Sequence, residues 1–270
     1  MTNKAAFLTL SFGSTFTETR LKDIGGIEQA LQQAFPHYDH YQAFTSAIVR
    51  RQLAKENILI NDPETALQNL AAAGYRHVLI QPTHLLHGEE FEQKILTLQQ
   101  HFAGSFDSLL ISTPLIAQDK DYALTAAAIT TQFPSLADDE AIVLMGHGSP
   151  RHNNKSFGYT YTRLQQIFDN LQLPVLVGTV EEADSPNLDA VLQRLQQNNY
   201  QKVHLYPLMV VAGDHAINDM YGNEPDSWKN QIENLGIATE GHLYGLGRSK
   251  AIQALYIGHA LETLSHNNIK

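Results

Sequence analysis

The chain has no cysteine. That absence removes disulfides, thiolate metal sites and cysteine nucleophiles together, so any metal the protein handles is held by imidazole nitrogen or by oxygen donors. Positive charge is also short. Lys and Arg number 18 against 28 Asp and Glu, a net charge of −10. With no basic stripe to offset it, this balance argues against a nucleic-acid partner. Long apolar runs are missing too: no stretch approaches the roughly 18–20 residues of a membrane helix, so no membrane partner is expected. The amino-terminal MTNKAAFLTLSFGST carries one lysine and a short apolar run that meets polar residues at once. It reads as a first strand and not as a signal peptide. A soluble cytoplasmic protein is the expectation, and a homo-oligomer is left open.

What the chain does have is a repeat. Residues 77–90, HVLIQPTHLLHGEE, align without gaps on residues 202–215, KVHLYPLMVVAGDH. Val78 meets Val203, Pro82 meets Pro207, Gly88 meets Gly213 and Glu90 meets His215. A second pair lies ahead of it in the same order: AFLTLSFGST at 6–15 matches AIVLMGHGSP at 141–150, placing Phe12 on His147, Gly13 on Gly148 and Ser14 on Ser149. Two matched pairs at nearly equal offsets imply a duplicated domain, and 270 residues suffice for two units of about 130, each burying its own core.

Apolar runs and turn residues alternate as strand and helix throughout. Strands are expected near 5–12, 39–45, 78–82 and 108–112, then near 141–145, 175–180, 203–208 and 237–242. Helices are expected at 17–34, 46–55, 63–73, 89–102 and 119–132, and again at 155–170, 187–196, 227–234 and 250–264. The continuous apolar character of 5–12 suits a parallel strand covered on both faces. Asp62 followed by Pro63 is a cap-and-first-turn signature. The fold class is therefore α/β, with two similar domains, each a four-stranded parallel sheet flanked by helices, and the active site in the cleft between them. The domains are placed at 1–137 and 138–249, with the linker near 133–140 and the helix 250–266 packing back on the first domain.

Strand ends are where such a fold presents chemistry. His147 follows an apolar strand between Gly146 and Gly148, and glycine on both sides lets a ligand approach the backbone. Taken alone it is equally compatible with a plain turn, and no GxGxxG or Walker pattern supports a nucleotide. Glu181 ends the next strand beside Glu182, and His215 follows Asp214 after the one beyond. Together these three put two imidazoles and one carboxylate at the ends of three strands, a set suited to a divalent first-row ion with open coordination positions. The first copy has Phe12 where the second has His147, and Glu90 where it has His215. His84, His87, Glu89, Glu90 and Glu92 cluster before a helix. Arg50, Arg51, Arg151 and Lys155 are cations that suit an anionic substrate, and Tyr159 and Tyr161 alternate along a helix, so only one can face a cleft.

GHG at 146–148, VEE at 180–182 and MVVAGDHAINDM at 209–220, with FTSAIVRR at 44–51 and HLLHGEEFE at 84–92, resemble the anaerobic-pathway sirohydrochlorin cobaltochelatases, within the class II tetrapyrrole chelatases. The resemblance runs nearly end to end. It implies a chelatase-like fold and insertion of Co2+ into sirohydrochlorin during cobalamin synthesis, with Fe2+ and Ni2+ as alternatives at the same site and no organic cofactor. It implies His147, Glu181 and His215 as metal ligands, His147 also as acceptor of pyrrole protons, and Glu90 as the acidic residue of the first domain. His84, Arg51, Gly13 and Ser14 are the expected substrate-binding residues. No role carries over to 149–155, SPRHNNK. Rival readings are a non-catalytic tetrapyrrole or metal carrier and a two-domain ligand binder of periplasmic type. The first has no need of a proton acceptor beside an open metal site, and the second is disfavoured because the amino-terminal stretch is expected to be a strand and not a signal peptide.

Overall fold

The computed structural model describes residues 4–148, 159–182 and 184–267. It holds two four-stranded sheets. The first is built from β1 (Ala5–Ser11), β2 (Asp39–Phe44), β3 (His77–Pro82) and β4 (Ser108–Ile111), in the order β2-β1-β3-β4. The second is built from β5 (Glu140–Gly146), β6 (Val175–Thr179), β7 (Lys202–Pro207) and β8 (Ala238–Gly241), in the order β6-β5-β7-β8. Every pairing is parallel.

The two sheets share their register as well as their order. Ala6 pairs with Val78 and Ala141 with Val203, and Leu10 pairs with Pro82 as Met145 does with Pro207. The turn glycines after β1 and β5 match too, Gly13 at φ +100° and Gly148 at φ +108°, both in the left-handed region that side chains disfavour. Beyond those turns Ser46 N donates to Phe12 O at 3.2 Å, and Glu181 N donates to His147 O at 3.1 Å. The structural counterpart of Glu181 in the first copy is therefore Ser46, which caps the helix Ala47–Lys55 by accepting from Val49 N.

The chain divides into two compact units, 1–117 with 250–270, and 118–249. The division falls earlier than the linker expected near 133–140, because the helix Asp119–Thr130 packs on the helix Thr160–Asn170 of the second unit. Arg163 ion-pairs with Asp119 at 2.7 Å and lies 4.3 Å over the Tyr122 ring, and the Tyr122 and Thr160 hydroxyls are 3.2 Å apart. The last helix, Lys250–His266, belongs to the first unit, where the fully buried Tyr256 hydroxyl contacts the carbonyls of Thr83 and His84 at 3.0 and 3.1 Å.

Each unit buries its own apolar cluster. In the first, Leu8, Leu10 and Ile80 meet Phe91 and Ile95; in the second, Val143, Met145, Val203 and Leu205 meet Trp228 and Ile232. At about 1.5–3 kcal/mol per large apolar side chain removed from water, these layers fix the positions of the strand ends. Among the described residues no helix is long and apolar enough to cross a membrane.

Two expected helices are not regular throughout, and a third helical segment lies where no helix was expected. Arg20–Ile24, Glu92–Leu96 and Ala216–Met220 are π-helical, wound one residue wider than an α-helix. The second and third begin just after Glu90 and His215, the pair that the repeat aligns. The helix expected over 155–170 is described from Thr160.

Candidate active site

Residues of the second unit gather at the carboxyl ends of β5, β6 and β7. His147 leaves β5 directly after Gly146, and the segment around it is held on both sides. The Tyr161 ring lies against Gly146 so closely that a Cβ there would stand 2.1 Å from Cε1. The Tyr161 hydroxyl in turn accepts a hydrogen bond from Gly148 N at 3.3 Å. A Cβ on Gly148 would meet Glu181 Cβ at 2.6 Å, and its positive φ is unfavourable for any other residue. Both glycines are thus required by contact, and the imidazole between them is exposed. Of the two tyrosines, Tyr161 is buried and Tyr159 is exposed.

His215 arrives after β7 at the head of the π-helical turn Ala216–Met220. Its Nδ1 is 2.5 Å from Asp219 Oδ2, one turn along. A carboxylate on Nδ1 orients the ring and leaves Nε2 open. Asp214, its sequence neighbour, instead accepts from Asn218 Nδ2 at 2.9 Å. The His147 and His215 rings meet edge to face, 4.8 Å between centroids at 82°.

Glu181 stands beside His147 through its backbone, while its side chain lies on Gly148 and its carboxylate is exposed. The structure therefore brings the two histidines together but does not gather the carboxylate with both of them. The one described group of three such residues with all ligand atoms within 4.8 Å of one another lies elsewhere in this unit. A glutamate rotates freely about its side-chain torsions at such an exposed position. Asp219 was not singled out from the sequence. The signal that could have found it is its spacing of four from His215, which brings two residues together on a helical turn.

In the first unit Glu90 is the centre of a small network. Oε1 accepts a short hydrogen bond from Thr45 Oγ1 and lies 3.9 Å from His84 Nε2, and Oε2 is 3.2 Å from Lys94 Nζ. Burial pushes its pKa up, but nearby His84, the Thr45 hydrogen bond and the Lys94 charge outweigh that and bring it down to about 2. His84 is mostly buried behind this carboxylate, whereas His87 packs on the Phe91 ring and lies 3.5 Å from Glu92.

Three expected substrate contacts have local partners. Ser14 Oγ accepts from Phe16 N at 3.2 Å and lies 3.1 Å from Thr19 Oγ1, so it shapes the turn after β1. Gly13 lies under Phe44, which a Cβ would approach to 2.6 Å. Arg51 is exposed and folds back on the Ala47 carbonyl at 3.2 Å, and Arg50 pairs with Asp62 at 3.6 Å. Arg151 and Lys155, with 149–158, lie outside the described residues.

Comparison with known proteins gives a consistent answer. The profile of the cobalt chelatase (CbiK) family matches residues 4–265. The sirohydrochlorin cobaltochelatase of Salmonella typhimurium is 38% identical over 263 residues, covering 97% of each chain. The sirohydrochlorin cobaltochelatase CbiKC of Nitratidesulfovibrio vulgaris is 31% identical over 240 residues, covering 88% of this chain and 83% of the relative. Among solved structures, Bacillus subtilis SirB with Fe3+ has a TM-score of 0.64 at 14% identity, covering 99% of both chains. That level of identity speaks to the fold alone, and the fold agrees. Family profile, curated relatives and strand order lead to the same conclusion: this chain belongs to the cobalt chelatase (CbiK) family.

Proposed function

We propose that the protein inserts Co2+ into sirohydrochlorin in anaerobic cobalamin synthesis, releasing two pyrrole protons for each ion that enters. The observation that carries this reading is the His147–His215 pair, edge to face at the ends of β5 and β7, with Asp219 orienting His215. It stands in a chain whose family and curated relatives are named for cobalt insertion.

Metal insertion requires a site that holds a divalent ion without saturating it, so that the macrocycle nitrogens can displace protein ligands. Two imidazoles and the Glu181 carboxylate leave such positions open. The ion is a substrate here, delivered and given up in each turnover. His147 is the proton acceptor in this scheme, since an imidazole is suited to accept protons near neutral pH. Glu90 is poorly suited to that step: held down to about pKa 2, it is ionised at neutral pH and only weakly basic. Its fixed negative charge instead favours the approach of cations, including the metal.

The net charge of −10 works in the same direction, favouring metal approach over the polycarboxylate macrocycle. Ligand identity alone does not separate neighbouring first-row ions, because their affinities follow a common order. The test is a parallel insertion assay. Purified protein and sirohydrochlorin are mixed with Co2+, Fe2+ or Ni2+, and the absorbance change of the macrocycle is followed. The fastest turnover is expected with Co2+. No insertion of any of the three ions would contradict the reading.

A further inference from the structure

The second unit holds another set of metal-type side chains, sharing no residue with those above. On β7, Lys202, His204 and Tyr206 face one side of the sheet while Val203 and Leu205 enter the apolar cluster on the other. The register places His204 opposite Glu240 of the edge strand β8. His242 follows β8, and its N donates to Leu205 O at 2.9 Å, which fixes it alongside β7.

The result is compact. His204 Nδ1 lies 3.2 Å from His242 Nε2 and 3.7 Å from Glu240 Oε2, and His242 Nε2 lies 3.8 Å from Glu240 Oε1. Among the described residues, these three alone bring their ligand atoms within 4.8 Å of one another. Ligands about 2.0–2.2 Å from a tetrahedral ion stand roughly 3.3–3.6 Å apart, so the spacing observed needs little adjustment.

The surroundings fix the rings. His242 stacks on Tyr206 with centroids 4.1 Å apart at 3°, and Tyr244 closes on its edge at 6.1 Å. His204 is 4% exposed, and its far nitrogen Nε2 has no hydrogen bond but faces Glu140 Oε2 at 3.7 Å. A carboxylate behind the far nitrogen is the arrangement that orients metal-binding imidazoles. One group opposes an ion: Lys202 Nζ sits 2.7 Å from Glu240 Oε2.

We propose that His204, Glu240 and His242 form a second divalent-cation site, suited to a borderline first-row ion such as Zn2+, Co2+ or Ni2+. The donor set of two nitrogens and one oxygen selects that class over Mg2+ or Ca2+, which prefer oxygen alone. Lys202 competes with the ion for Glu240 and sets the affinity.

The experiment uses the full chain with His147→Ala and His215→Ala together, which removes both histidines of the insertion site. This protein is loaded with Zn2+, desalted, and its metal content measured by mass spectrometry. A parallel Co2+ titration is read by visible absorption. Retention of one equivalent is expected. Glu240→Gln and His242→Gln, at side chains 50% and 18% exposed, should each abolish it while circular dichroism stays unchanged. Glu140→Gln should weaken binding about 10–100-fold, and Lys202→Met should tighten it. An absence of retained metal, or retention indifferent to both Glu240→Gln and His242→Gln, overturns the proposal.

Discussion

Asp219 sits 2.5 Å from His215 Nδ1, and in the proposed site this contact leaves Nε2 as the nitrogen that meets the metal. Replacing it with Asn removes the charge but keeps the shape. Asp219→Asn is expected to weaken metal binding about 10–100-fold, read as a raised half-saturating metal concentration with near-normal maximal turnover. A second residue-scale expectation concerns acid. Glu90 is depressed from an ordinary 4.5 to about 2 in the folded protein, so it contributes stability that is fully present above about pH 4.5. That contribution is lost as pH falls toward 2. Denaturant unfolding across this window should show a gap between wild type and Glu90→Gln of roughly 1–2 kcal/mol above pH 5, after solvent screening. The gap should close in acid; one that widens as pH falls would give the network the wrong sign. At this scale the placement of His147 and His215 beyond their strands was legible because glycine turns end apolar strands beside them. Asp219 was not, because its role depends on the turn His215 begins.

At the scale of the element, the GHG segment is shaped by what packs on it. Gly146→Ala places a methyl 2.1 Å from the Tyr161 ring, in a strand buried from Ala141 to Gly146. A loss of roughly 1–3 kcal/mol is expected from overpacking, measured by thermal unfolding, together with a larger loss of metal binding as His147 is displaced. If Gly146→Ala leaves both unchanged, Tyr161 does not hold the segment. Strand positions and most helix positions followed from apolar runs and caps such as Asp62, which accepts from Thr65 N. The π-helical turns after Glu90 and His215 did not. One extra residue per turn leaves almost no trace in a pattern read at a period of 3.6.

For the whole molecule, the duplication was written in the sequence and reappears as identical strand order and register in the two sheets. The boundary between units was harder to read. It depends on Asp119, Tyr122 and Arg163, which meet across more than forty positions of sequence. The return of the last helix to the first unit rests on Tyr256 beneath β3. Truncation before Lys250 should therefore make the first unit the earlier to be cleaved in limited proteolysis, with the fragment 118–249 accumulating. The reverse order of cleavage would place the helix elsewhere.

The central claim is that His147 both binds the ion and accepts a pyrrole proton, while His215 serves as a ligand. Turnover against Co2+ concentration for His147→Ala and His215→Ala separates these roles. A missing general base costs about 10²–10⁴-fold in rate and is not restored by saturating metal. The account predicts that His215→Ala regains much of its turnover at high Co2+ and that His147→Ala does not. Recovery of near-normal turnover by His147→Ala would contradict it, and the proton acceptor would have to be another residue.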